Sequence, residues 1–520
     1  MSLIRSNYFF SKTRPFVLAL PWIGLFTQIA INTETSNANY SFIAAAVSNL
    51  FILYLYQPYQ WYKFPISSLA LTGYCILYAL GPLLLTALEQ RPIIYDLEVP
   101  EDLFLHIVLC TGTLIFSHFI YTQTNLFQII RQKITLYLDR NLNIFQKLDT
   151  FSIAILSFFG LISMILVYWL NRGNDVAIIK LIQGFINFAY FPLTALLIQL
   201  CNESKKVTKV DWLLNFLFLV LIFIVALGRN SRATFAIPIA TYGIGVFLLW
   251  IYQYIKIRFK VIVSILILII FIVPLASNLA TSMVMVRALR RDIPSEELLV
   301  KTIDQLSDIE SIEQYRVKTD VDRLSGYDEK YLSNPFLRRF VNLKFADISL
   351  KLGNQLDHAS RIEFREFSIN RLLSIFPAPF LSFLGFSSEF KKQALSVSWG
   401  DQLFFLITRN KYFLGRFWIG HFFGTSLAAF GFLYLFFLGI LSIIIFILLD
   451  ALVITNVSCS QNPIFSPVAI INIYSFFTIF NVGSIVDLSI FIFREWMQVI
   501  FLYLIFCKML VAVSRSLKLA

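Results

Sequence analysis

The sequence predicts an all-α polytopic membrane protein of about twelve transmembrane helices with one large extracytoplasmic loop. Three observations predict it. The 520-residue chain is 58% hydrophobic and only 14% charged, where soluble domains carry about 25% charged residues. Apolar runs of roughly 18 or more residues recur along it, each long enough to cross about 30 Å of hydrocarbon as a helix. Its 54 Phe suit lipid-facing helices and interfacial belts.

The expected span cores, in order, are 15–32, 40–56, 65–88, 103–121, 150–170, 179–201, 211–228, 233–253, 261–283, 420–446, 464–482 and 496–513. The first follows Arg5, Lys12 and Arg14 and lacks a small-residue cleavage site, so it reads as a retained anchor. With the N-terminus in the cytoplasm, inner segments carry Lys63; then Arg131, Lys133, Arg140 and Lys147; then Lys205, Lys206 and Lys209; then Lys256, Arg258 and Lys260. The tail adds Arg515 and Lys518, while the outer segment 89–102 is acidic. The positive-inside rule therefore puts both termini in the cytoplasm. Residues 122–149, basic among Ile, Leu and Phe, read as an interfacial helix on that face.

The formal net charge of +12 follows from these flanking Lys and Arg and does not call for nucleic acid. Of the five Cys, four lie in or beside apolar runs and Cys459 in a short loop. That distribution points to neither a disulfide framework nor a metal cluster.

Residues 1–283 thus form an N-terminal membrane bundle of about nine spans, and 418–520 a C-terminal bundle of about three. Between them, 284–417 is the only long polar block, and the charge pattern puts it outside. Within it, 367–387 is apolar but broken by Pro377-Ala378-Pro379. Proline removes a backbone donor and stops a helix, so this stretch reads as re-entrant or interfacial.

Four constellations could carry chemistry. In Gly228-Arg229-Asn230-Ser231-Arg232, two guanidiniums sit where an apolar helix ends at the outer face. Arg matches phosphate oxygens bidentately, so Arg229 and Arg232 suit a lipid-linked pyrophosphate; the plain alternative is snorkelling to headgroups. In the second, Arg409, Lys411 and Arg416 precede His421 and a Gly-rich run with Gly at 415, 420, 424, 431 and 439. Arg409 and Arg416 are further pyrophosphate candidates. His421 could act as a general base on a sugar hydroxyl or orient it, or be a structural histidine in a bundle. The third is the charged core of the block. Arg338, Arg339, Asp347, Arg361 and Arg365 lie among aromatics, as a saccharide-binding surface requires, or form a solvated helical face. The fourth, Tyr95–Asp102, has paired carboxylates that could bind a cation or act as a base, or could be a plain acidic loop.

These features together resemble the bacterial O-antigen and exopolysaccharide polymerases (Wzy-type) and, less closely, the O-antigen ligases. The resemblance rests on about twelve spans and on the GRNSRATF turn, which is like the family's Ser-Arg-small element. It rests also on one large late outer loop and on the segment GHFFGTSLAAFGFLYLFFLG after it. It implies a metal-independent, cofactor-free glycan transfer from a polyprenyl-diphosphate-linked oligosaccharide to an acceptor sugar, at the outer face of the bacterial cytoplasmic membrane. Its implied partners are membrane lipid, a chain-length regulator and a flippase. Arg229 and Arg232 would stabilise the leaving diphosphate, and His421 or a carboxylate of the block would take the acceptor proton. Two other readings stay open: a lipid-linked oligosaccharide flippase, and a polyprenyl-phosphate-sugar-dependent glycosyltransferase using Asp96 or Glu98.

Overall fold

The computed structural model describes residues 2–146, 150–170, 182–201, 208–255, 274–291, 293–321, 331–376, 378–387, 389–416, 418–455 and 462–505. Among them, eight helices are long and apolar enough to cross a membrane: Tyr8–Ile31, Thr35–Leu55, Pro65–Leu88, Pro100–Gln123, Phe151–Tyr168, Lys209–Arg229, Leu433–Asp450 and Ile485–Ile505. Ala236–Ile251 is a shorter apolar helix. Strand structure is confined, among the described residues, to an antiparallel pair that places Val453 opposite Phe465 and Ile454 opposite Ile464. The chain is an all-α membrane protein.

The third of these helices is not uniform. Residues Ile76–Leu80 widen into a π-turn, and the local cause is Pro82. It has no N–H to return to Tyr78 four residues back or to Leu77 five back. The orphaned Leu77 carbonyl instead accepts the backbone N–H of Asn342, at 3.3 Å. A single proline thus leaves a backbone acceptor inside the bundle, and the polar block supplies its donor.

Four expected spans take other forms. Residues 179–201 contain a 3-10 stretch, Ile186–Leu197, and a single α-turn after it; Pro192 within it cannot sustain α-helical hydrogen bonding. The span expected at 420–446 is two helices, Phe422–Phe430 and Leu433–Asp450, parted at Gly431 with φ +57°. The one at 464–482 is a strand followed by short helices Pro467–Ile471 and Ile473–Phe477, split at Asn472. There the Asn472 amide bonds back to Val468 O at 2.9 Å and competes with the helix. The last span begins at Ile485 rather than 496, because Ser484 and Asp487 form a capping box there. Most of the span expected at 261–283 lies outside the described residues. The helix expected at the interface runs Asn125–Arg140.

Two clusters of polar contacts hold opposite ends of the bundle. At one, Asp450 is fully buried and caps the start of Pro65–Leu88. Its carboxylate accepts the N–H groups of Ile66 (2.9 Å) and Ser67 (3.1 Å), the Ser67 hydroxyl (2.6 Å) and the Tyr121 hydroxyl (3.1 Å). Beside it, Arg131 donates to Lys63 O at 2.6 Å and Thr135 to Ala451 O at 3.1 Å, seating the helix Asn125–Arg140.

At the other end, the acidic segment is zipped to the polar block. Asp347 accepts the N–H groups of Glu98 (2.9 Å) and Val99 (2.8 Å). Glu89 accepts the N–H groups of Ser333 (2.7 Å) and Asn334 (2.9 Å). Asp96 pairs with Lys344 at 3.5 Å, Glu98 with Lys351 at 3.2 Å, and Asp102 accepts from Asn354 at 2.7 Å. Asp96, Glu98 and Asp102 are therefore engaged in fastening the helix Leu343–Gln355, and Glu89 in holding the turn that precedes it.

That helix crosses Phe422–Phe430 at backbone contact. A Cβ on Gly424 would stand 2.0 Å from the Ser349 carbonyl, so only glycine lets these helices meet. The Ser349 hydroxyl stitches the crossing. It donates to His421 O at 2.9 Å and accepts the His421 N–H at 3.2 Å. The Gly-rich run expected from the sequence to bring backbones together does so here.

Candidate functional site

A cavity of about 510 Å³ opens where the polar block meets the C-terminal membrane helices. Its wall draws on distant segments: Arg338 and Arg339 from the 3-10 turn Leu337–Phe340, Arg371 from the helix His358–Leu373, and Trp399 at the start of Trp399–Thr408. Trp418 to His421, Tyr474, Asn481 and Asp487 complete it, and Ala236 contributes from the N-terminal half. Three guanidiniums thus face one carboxylate, a balance that favours an anionic ligand.

Two of these guanidiniums, those of Arg338 and Arg371, are fixed by contacts within the protein. Arg338 Nε and Nη2 donate to Leu332 O at 3.0 and 2.7 Å. Arg371 lies with its guanidinium carbon 4.8 Å above the Trp399 ring and donates from Nη1 to Val397 O. Its Nε has no hydrogen-bond partner and is a donor in reserve. Burial lowers the proton affinity of Arg371 and the nearby Asp487 carboxylate raises it; arginine remains charged under both influences. Arg339 stands within electrostatic reach of Tyr474.

Asp487 fixes Trp399 in turn. The indole Nε1–H donates to both carboxylate oxygens, at 3.2 and 3.1 Å. The Ser484 N–H donates to Oδ2 at 3.1 Å. Trp399 packs against Gly420 and Gly483, where a Cβ would stand 2.5 and 2.6 Å from it. Trp418 stacks edge-on to Phe404 at 4.1 Å. Two indoles and a tyrosine beside cations and a carboxylate are groups that recognise a sugar bearing phosphate: faces for the ring, forks for the anion.

His421 lines the cavity but is 2% exposed. Its Nδ1 accepts the N–H of Phe423 at 3.2 Å, and its Nε2 lies 2.7 Å from the Tyr78 hydroxyl. Accepting at Nδ1 puts the ring proton on Nε2, which then donates to Tyr78. Tyr78 donates onward to Asn481 Oδ1 at 3.4 Å. Both ring nitrogens are engaged, so the arrangement orients Tyr78 and Asn481 and leaves no lone pair facing a substrate.

No protein-family model, curated protein or solved structure matches the chain.

Of the residues singled out in the sequence, Arg338, Arg339 and His421 meet in this cavity. Arg232 opens the helix Arg232–Ile251, one turn before Ala236; its side chain lies outside what is described. The remaining candidates stand elsewhere. Arg229 covers the Tyr168 ring at 3.3 Å. Arg409 is exposed and pairs with Glu363 at 2.7 Å, while Arg416 covers Tyr412 at 3.9 Å. Arg361 donates to Leu356 O at 3.1 Å and Arg365 to Ala429 O at 2.8 Å. Asp347 is buried in the fastening of segment 89–102, and burial raises its pKa above the ordinary value against the backbone N–H groups and Lys344 that lower it.

Sequence reasoning passed over Arg371, Trp399, Trp418, Tyr474 and Asp487. One signal was available: Ser484-Ile485-Val486-Asp487 has the spacing of a capping box, which starts a helix and fixes its acid. Arg371 carried none, being one of several charges on its helix.

Proposed function

We propose that this protein is a glycosyltransferase of the oligosaccharide repeat-unit polymerase type, working at the outer face of the bacterial cytoplasmic membrane. It transfers glycan from a polyprenyl-diphosphate-linked donor to an acceptor saccharide. The observation that carries this reading is the cavity in which Arg338, Arg339 and Arg371 stand together with Trp399, Trp418 and a single lining carboxylate, at one end of an apolar bundle.

In the reaction, the acceptor hydroxyl oxygen attacks the anomeric carbon of the donor. The bond between that carbon and the diphosphate oxygen breaks, and the diphosphate leaves with the electron pair. The arginines meet the charge that develops on it, an electrostatic contribution that is large in a water-poor site. Asp487 takes the proton from the attacking hydroxyl, and His421 keeps Tyr78 and Asn481 in place. Trp418, half-buried on the wall, offers a ring face to a sugar, and Trp399 holds Arg371 and Asp487 in place.

The flippase reading has less to stand on. Two ionisable residues deep within the spans, Asp450 and His118, are tied into helix packing: Ser67 Oγ lies 2.6 Å from Asp450 and 2.9 Å from His118. A transport path would need such groups facing an open route.

The test is glycan assembly by the purified protein in nanodiscs, supplied with a lipid-diphosphate-linked repeat unit. Wild type extends the glycan. Asp487→Asn, which keeps an oxygen for the Trp399 N–H, loses about 10²- to 10⁴-fold in turnover. Unchanged turnover in that variant would remove Asp487 from the chemistry, and a wild type inert toward every such donor would defeat the reading itself.

A further inference from the structure

We infer that the apolar lobe at residues 374–396 seats the isoprenoid chain of the donor, an inference that rests on the function proposed above. The lobe is an excursion from one cavity residue. It leaves three residues after Arg371, and its return is fastened where Arg371 Nη1 donates to Val397 O. Along it, Phe376, Phe380, Phe383, Leu384 and Leu395 are all exposed, Phe383 by 86%.

This display is built into a folded lobe. Leu381 is buried, and its carbonyl accepts the Phe386 N–H at 2.9 Å. Phe376 and Phe380 contact each other at 5.1 Å between ring centres. Lys391 donates to Phe376 O at 2.9 Å and closes the neck. A folded lobe that presents large apolar side chains marks a surface covered by something apolar. Here that surface begins at Phe376, five residues after a cavity guanidinium. Ile419, 42% exposed and itself on the cavity wall, adds apolar surface to the rim. The complementary ligand has an anionic head for the cavity and a long hydrocarbon tail for the lobe, and a polyprenyl diphosphate has both.

The test separates the chain from the head. The double variant Phe380→Ser, Phe383→Ser alters exposed positions and should fold as wild type, which a thermal unfolding curve checks. Affinity is measured for sugar-free polyprenyl diphosphate and for a water-soluble analogue with two isoprenoid units, alongside turnover of the matching glycan donors. The variant is expected to lose roughly tenfold in affinity and in KM for the long chain, with kcat and all short-chain values unchanged. Equal losses for both chain lengths would assign the lobe to supporting the cavity, and no loss for either would leave it a contact for bulk lipid; both overturn the inference. Chain-length-dependent binding by a protein that transfers no glycan would instead refute the proposed reaction and keep the lipid seat.

Discussion

His421 Nε2 lies 2.7 Å from the hydroxyl oxygen of Tyr78, and the two residues come from segments 343 positions apart. The π-turn at Ile76–Leu80 carries Tyr78, and the capped start of Phe422–Phe430 carries His421. π-turns of this kind recur at functional sites. The contact makes the histidine a positioning residue. His421→Asn preserves a good helix cap and loses the bond to Tyr78. It should lower kcat about tenfold, in line with one hydrogen bond, and leave the shape of the pH–rate profile unaltered. Tyr78→Phe should do the same. A histidine acting as base would give a far larger loss, about 10²-fold or more, and would remove the acid limb of the pH–rate profile. The pH–rate profile of both variants decides the matter.

Arg371 is the guanidinium whose loss should be felt most. It has an unpartnered Nε and a fixed place over Trp399. Arg371→Ala is expected to reduce kcat/KM for a lipid-diphosphate donor about 10²- to 10³-fold. Arg371→Lys should recover little of this, because an ammonium neither stacks on the indole nor offers a bidentate fork. Arg409→Ala is the matched control: an exposed arginine paired with Glu363, whose removal should leave donor kinetics as they are. Steady-state kinetics with one donor check all three, and near-normal values for Arg371→Ala would take it out of the anion site.

The membrane helices could be read from the sequence because lipid demands long apolar runs, and the runs are there. The exceptions occur where one residue overrides the run: Gly431 turning the backbone, Asn472 bonding back to Val468, Pro82 orphaning a carbonyl. For the site, Arg338 and Arg339 stood out as charges among aromatics within the polar block, and His421 as a polar group bordering an apolar segment. Trp399 and Asp487 are 88 positions apart and meet only through the fold, so no local pattern joins them. Arg409 and Arg416 looked suited to a diphosphate because charge near a span end is conspicuous. Ion pairing with Glu363 and stacking on Tyr412 are tertiary facts that spacing does not encode.

The helix that carries Arg371 should loosen in acid at its first turn. Asp357 caps it, accepting the Ser360 N–H at 2.8 Å. The Ser360 hydroxyl and amide hold this carboxylate below its ordinary pKa. A depressed folded value means the stabilisation is complete above the ordinary Asp range, about 3.9, and disappears as pH falls through the folded value. Hydrogen exchange in the turn after Asp357 should therefore quicken on acidification in wild type. Asp357→Asn keeps an acceptor oxygen without a titrating proton, and its exchange should change less with pH. The same acid response in both proteins would show that the cap is not its source.

Two glycines of the run after the polar block should respond differently to an added methyl group. At Gly424 the Cβ would stand 2.0 Å from the Ser349 carbonyl, which is backbone and cannot turn aside. Gly424→Ala must push the helices Leu343–Gln355 and Phe422–Phe430 apart, at a cost of about 1–3 kcal/mol for overpacking. The separation also breaks the Ser349 bonds to His421, at 2.9 and 3.2 Å, so the residue that holds Tyr78 shifts with it. At Gly431 nothing lies within 4 Å of the added atom. The strain there is conformational, with φ +57° and ψ −154°, a region that costs other residues about 1–3 kcal/mol. Both variants should therefore lower the thermal unfolding midpoint in detergent. Activity per folded molecule should fall in Gly424→Ala, where the crossing beside His421 is displaced, and hold in Gly431→Ala, where the strain lies at the far end of the short helix. Equal activity in the two would mean that the Ser349–His421 crossing does not set the geometry of the site.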